Sequence, residues 1–200
     1  MNKTTRYTLA AAVAAFTTAC SGPRAYTRGT YEDPNVIEML SDQFNENDLQ
    51  LIAKKMVDSM STSGSYQQIS GRPLLIIGKM KNNTSEHIDM QSLSDKVKVN
   101  LARGGKFAFV NKDAREEIAQ EYEYQQSGYV KAGEAKGPGQ QASADYLLTG
   151  AISSIVQEVG NDKLVYYKMT MELTNLKSGV IEWTDEKELR KKFEKRSIGW

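Results

Sequence analysis

The chain contains one cysteine, Cys20, so no disulfide within it can brace the fold and stability must come from a hydrophobic core. The stretch 46–200 is long enough to bury a core of adequate size. Cys20 closes a distinctive opening: Met1-Asn2-Lys3-Thr4-Thr5-Arg6, an apolar run from Leu9 to Phe16, then Thr17-Thr18-Ala19-Cys20-Ser21. A basic start, a short apolar centre and a small residue at the end are the parts of a secretory signal. The run is well short of the ~20 residues that span a bilayer.

A cysteine at the end of such a signal resembles the lipobox of bacterial lipoproteins, in which the thiol is acylated and becomes the new N-terminus. Ala19 fits that pattern, whereas Thr17 stands where an aliphatic residue is usual. The alternatives are an ordinary signal cleaved near Ala19 or Ser21, and a cytosolic chain with an apolar start. On the lipoprotein reading, residues 1–19 are the signal and residues 20–45 the lipidated cysteine and a flexible tether. Residues 46–200 then form the globular domain. Ser21 after the cysteine resembles the pattern sent to the outer membrane, and more than one acyl chain suffices for stable anchoring.

Lysine and arginine number 26 against 25 acidic residues, a net charge of +1. No field of one sign favours nucleic acid or an anionic surface. The basic residues Arg190, Lys191, Lys192, Lys195 and Arg196 alternate with Glu186, Glu188 and Glu194, which predicts a solvated strand end and tail.

Periodicity sets the order of elements. A helix starts at Asn47-Asp48 and runs to Ser61, with Leu49, Ile52, Ala53, Met56, Val57 and Met60 at helical spacing. Leu74-Leu75-Ile76-Ile77-Gly78 predicts a strand buried on both faces, followed by a turn over Lys81–Ser85. Asp89 caps a second helix that buries Leu93, Val97 and Leu101 and ends at Gly104-Gly105. Phe107–Val110 is a short strand, and Asp113 opens a helix to about Tyr122. A long loop follows from Tyr124 to Gln141, with a short helix admitted up to Ala144. Tyr146–Val159, Lys163–Thr174 and Val180–Arg190 then form an antiparallel three-strand meander. The fold class is α/β (α+β): a mixed β-sheet with helices packed on it.

Catalytic chemistry has little to draw on. His87 is the only histidine, and zinc sites or Ser–His–Asp catalysis lack ligands and bases. Its bland role is hydrogen bonding in the loop before a helix cap. Glu116-Glu117 and Asp185-Glu186-Glu188 are expected on charged solvent faces, and Gly137-Pro138-Gly139 punctuates a loop. No enzyme activity, cofactor, metal or small-molecule substrate is expected. Tyr122, Tyr124 and Tyr129, with Gln126 and Val130, are candidate partner anchors around the long loop. The competing outcome for each tyrosine, and the commoner one, is satellite core beneath the loop.

Several segments taken together resemble the LpoB family of lipoprotein activators. They are Asn83-Thr84-Ser85-Glu86-His87-Ile88-Asp89, Gln126-Ser127-Gly128, Ala144-Asp145-Tyr146-Leu147-Leu148-Thr149-Gly150 and Gly179-Val180-Ile181-Glu182-Trp183. The resemblance covers about Asn47 to Arg190 plus the lipoprotein start. It implies a non-enzymatic outer-membrane lipoprotein, anchored through acylated Cys20 and facing the periplasm. Such a protein binds a regulatory domain of a class A penicillin-binding protein and stimulates glycan polymerisation and peptide crosslinking. The Asn47-Asp48-Leu49 helix also resembles the wider CsgG-like lipoprotein group. That likeness implies the alternative of a structural or assembly lipoprotein of a flagellar or secretion machine.

Overall fold

The computed structural model of the chain describes residues 31–34, 36–39, 41–131 and 133–195. The chain divides into two units at Val36/Ile37. In the first, Val36 N donates to Asp33 O at 3.2 Å, a turn at Pro34. Everything below concerns the second.

Helix α1 spans Glu46–Thr62 and begins earlier than the spacing predicts, because its start is a capping box. The Asn45 side chain accepts from Asn47 N and Asp48 N, and the Asp48 carboxylate accepts from Asn45 N at 3.0 Å. Helix α2 (Gly64–Gln68) is a single turn capped by Ser63, and it delivers Tyr66 edge-on to Phe107. Helix α3 (Met90–Arg103) is capped by Asp89 and buries Leu93, Val97 and Leu101, as its periodicity predicts. Helix α4 (Arg115–Tyr124) starts after Ala114 without a side-chain cap, two residues later than Asp113 suggests, and buries none of its residues.

Strands β1 (Leu74–Asn83), β2 (Ala108–Phe109), β3 (Tyr146–Val159), β4 (Asp162–Asn175) and β5 (Ile181–Glu194) form one sheet in the order β2-β1-β3-β4-β5. β1 pairs in parallel with β2 and β3, whereas β3-β4-β5 is the expected antiparallel meander. β1 departs from its sequence reading twice. It runs on to Asn83, and its burial alternates, with Leu75, Ile77 and Met80 inside. The apolar run therefore has one covered face. The spacing changes from two to three because the β1–β3 register shifts between Ile77 and Met80. A Cβ on Gly78 would lie 2.9 Å from Thr149 Cγ2 and 3.0 Å from Leu147 Cδ1, so any larger residue would force those side chains of β3 to shift.

Alternation along β4 fixes the faces. Val165, Tyr167, Met169, Met171 and Leu173 are buried, and Leu148 and Ile152 of β3 lie opposite Leu173 and Met169. Helix α1 packs on β5 and α3 on β1, and the two helices touch each other. Together they cover this one face with a single apolar cluster. Five of its members are methionines (Met56, Met60, Met80, Met169, Met171), flexible side chains suited to an irregular helix–sheet gap. Gly150 of β3 sits where a Cβ would meet Thr170 O and Met169 Cε, each at 2.8 Å, so only glycine fits.

Two further expectations change. Strand β5 continues to Glu194, so Arg190, Lys191 and Lys192 lie inside a strand rather than at its solvated end, and Lys191 is buried. The chain after α4 tightens into a wide helical turn, Gln125–Tyr129, closed by Gly128 at φ +92°. Among the described residues of the following loop there is no helix up to Ala144.

Candidate interaction surface

The entry to the domain is held by a buried polar network. Lys191 Nζ pairs with the Asp48 carboxylate, their side chains 6% and 7% exposed, and donates to Gln43 O at 2.9 Å and Ser41 O at 3.3 Å. The ammonium also lies 5.7 Å from the Tyr167 ring centroid. Tyr167 donates its hydroxyl to Glu86 Oε1 at 2.5 Å, while Glu86 Oε2 accepts from Phe44 N at 2.8 Å. The Phe44 ring packs edge-on to Tyr167. Desolvation, reinforced by Glu86, pushes the Tyr167 hydroxyl well above its ordinary pKa. Nearby, Lys163 bonds Asp42 at 2.6 Å and holds that carboxyl below its usual range. Residues 41–44, inside the stretch read as tether, are thus fixed to β4, β5 and the β1–α3 turn. Sequence reasoning missed this network. The signal was available in parity: once β4 and β5 pair, Lys191 lies opposite buried Val165.

The resemblance motifs have structural work in this fold. Asp145 Oδ2 accepts from Leu74 N at 2.7 Å and starts β1, and Trp183 is buried opposite Leu173. Asn82 builds the turn after β1, accepting from Thr84 and donating to Glu86 O. His87 is exposed in that loop. Among the described residues no group of three or more His, Cys, Asp or Glu side chains is arranged to hold a metal, and no helix is long and apolar enough to cross a membrane.

The Gln126-Ser127-Gly128 motif builds the tyrosine site. Ser127 Oγ donates to Tyr124 O at 2.5 Å, and the turn through Gly128 returns the chain so that Tyr129 stacks on Tyr124. Their ring centroids are 5.7 Å apart with planes 12° from parallel. Tyr124 is 54% and Tyr129 80% exposed, so neither belongs to a satellite core, while Tyr122 and Val130 are half-buried and Gln126 is exposed. The turn is fastened to the loop behind it by Lys136 N donating to Gln125 Oε1 at 2.8 Å. An aromatic pair held rigid on a projecting turn offers contact area with little entropy left to lose on binding.

The sheet face away from the helices carries two open depressions. One, of about 340 Å³, is lined by Lys79, Lys81, Thr149, Ala151, Thr170 and Glu172. The other, about 680 Å³, is lined by Ile155, Gln157, Leu164, Tyr166, Glu188 and Arg190. Tyr166 donates to Glu188 Oε1 at 2.6 Å, and that bond pushes its hydroxyl up to about 12. Cys20 lies outside the described residues.

The model of the peptidoglycan-synthase activator LpoB matches residues 48–189, from the Asp48 of the buried pair to the last apolar residue of β5 but one. This chain belongs to the LpoB family. Among solved structures, it is similar to the LpoB C-terminal domain from Salmonella enterica, with 17% identity over 71% of this chain and 98% of that one and a TM-score of 0.45. The LpoB C-terminal domain from Escherichia coli gives 16% identity, the same coverage and a TM-score of 0.45. The lipoprotein GNA1162 from Neisseria meningitidis gives 14% identity over 62% of this chain and 88% of that one, with a TM-score of 0.41. No curated protein sequence matches the chain. The LpoB match runs from the first turn of α1 into β5, with the tyrosine turn inside it.

Proposed function

We propose that this protein is an outer-membrane lipoprotein, acylated at Cys20 and facing the periplasm, that activates a class A penicillin-binding protein. The observation that carries the proposal is the family match over 48–189. Activation is a linkage effect: the domain binds the active conformation of the synthase better than the resting one. A tenfold shift in that equilibrium needs about 1.4 kcal/mol of differential binding. The partner face includes Tyr124 and Tyr129 with Tyr122, Gln126 and Val130 beside them, because the two stacked rings of that turn are exposed. The regulatory domain of the synthase is its partner, and both glycan polymerisation and peptide crosslinking rise.

Asn47 Nδ2 donates to Glu38 O at 2.9 Å and the Lys191 network holds residues 41–44, so the usable tether shortens to residues 21–37. That length would reach at most about 60 Å if extended and average about 23 Å as a flexible coil.

Glycan-chain polymerisation by the organism's own class A penicillin-binding protein, measured with and without this protein, tests the reading. Several-fold stimulation is expected. No stimulation of a demonstrably active synthase would transfer the protein to an assembly role in a surface machine. Cys20→Ser is expected to abolish fractionation with the outer membrane, and normal fractionation of that variant would remove the anchor.

A further inference from the structure

Strand β5 forms one edge of the sheet, and no described residue pairs with its outer side. Its register with β4 is unbroken from Trp183 to Glu194, beyond the irregularity next to Thr174. Lys195 N donates inward to Asn161 O at 2.8 Å. Since backbone groups alternate along a strand, the odd-numbered residues of β5 turn their N–H and C=O to β4. The even-numbered residues present theirs outward, and the Glu186 N–H is met only by the neighbouring Asp185 carboxylate at 2.8 Å. A long edge of this kind is a template for another strand.

The charges along that edge are self-complementary. The open face of β5 carries Glu186, Glu188, Arg190 and Lys192 in succession, two anions and then two cations. A two-fold axis perpendicular to the sheet pairs residues of like parity. Centred on Leu189, it sets Glu188 against Arg190 of the second copy and Glu186 against Lys192 of the second copy, each twice. Centring on Glu188 or Arg190 sets like charges together at the axis, and centring on Lys187 opposes Glu186 to Glu188. Arg190 makes no ion pair among the described residues, although Glu188 is two positions away on the same face. On the helix side the Leu189 axis juxtaposes two leucines. Lys187 meets a Lys191 whose charge Asp48 already balances.

We propose that β5 pairs antiparallel with β5 of a second copy, in register about Leu189, to make a continuous sheet across a two-fold dimer. Leu189 then lies at a non-hydrogen-bonded pair, with Cα atoms about 4.5 Å apart. That separation falls within the range a disulfide bridges. Lys187 in the two copies is about 13 Å apart along the strands and falls outside it.

The test is oxidative crosslinking of the full chain in its native membranes, with the unsubstituted chain as control for Cys20. Leu189→Cys is expected to give a covalent dimer and Lys187→Cys essentially none. In the Leu189→Cys background, Arg190→Glu or Glu188→Arg alone is expected to lower the dimer yield about five-fold or more, by placing like charges opposite each other. Together the two substitutions restore it, since the pair is then exchanged rather than broken. Absence of a dimer from Leu189→Cys with unchanged thermal melting overturns the proposal. So does equal crosslinking at Lys187, or failure of the charge exchange to restore the yield.

Discussion

Lys191 and Asp48 meet in the seam between β5 and α1, so the last strand of the domain and its first helix are joined by a buried ion pair. Each partner is also committed elsewhere, Asp48 to the capping box at Asn45 and Lys191 to the carbonyls of Ser41 and Gln43. One charge pair therefore fixes the helix start, the strand and the chain leading into the domain.

Removing one member strands the other in the interior, which costs about 3–5 kcal/mol. Lys191→Met and Asp48→Asn are each expected to lose stability on that scale. Asp48→Asn with Lys191→Met leaves no uncompensated charge, so the double variant is expected to lose less than the sum of the singles. Denaturant midpoints of the three variants check this, and strictly additive losses would contradict it.

The stacked tyrosines are expected to separate binding from folding. Neither ring supports the core, so Tyr124→Ala with Tyr129→Ala should change stability by no more than about 0.5 kcal/mol per site. If the pair anchors the synthase, affinity falls tenfold or more, the loss typical of a truncated aromatic anchor. Thermal melting and a binding titration on the same preparation decide it. Unchanged binding with an unchanged melt would clear the turn of that role.

Acid sensitivity follows from the carboxylates. Hydrogen bonds from Lys163 to Asp42, from Lys98 to Asp95 and from Ser59 to Asp185 hold all three below the ordinary 3.8. A depressed carboxylate contributes stability above its unfolded pKa and loses it as pH falls through the folded value. The denaturant midpoint is therefore expected to be level near neutrality and to drop below about pH 4. Asp42→Asn should flatten part of that slope. At the alkaline end the sign reverses for Tyr166: its stabilising bond to Glu188 is complete below pH 10 and is lost as pH rises toward about 12.

Helix faces and the meander were legible because their apolar spacing is regular: α1 and α3 bury the residues that the 3.6-residue period selects, with Leu49 only partly covered. β1 was legible as a strand and misread in burial, since α1 and α3 cover only one face of the sheet, which an apolar run cannot reveal by itself. Lys191 was misread because a basic run looks solvated until pairing with β4 assigns its alternate members to opposite faces. The tyrosine turn shows the same limit. Tyr122, Tyr124 and Tyr129 were visible as a cluster, but which rings stay outside depends on the Gly128 backbone and on α4 burying no residue.

The strand order carries a consequence for how the chain reaches its native state. β3, β4 and β5 are joined by tight turns at Gly160 and Gly179, whereas β1 pairs with β3 only across residues 84–145. Closing that excursion is the slow, entropically expensive step. The meander is therefore expected to form first, with β1 adding to it afterwards. In chevron kinetics Met169→Ala should chiefly retard folding and Leu75→Ala chiefly hasten unfolding. Until β1 arrives, all 14 residues of β3 form a bare edge in addition to β5, and that interval is when the protein is most exposed to aggregation.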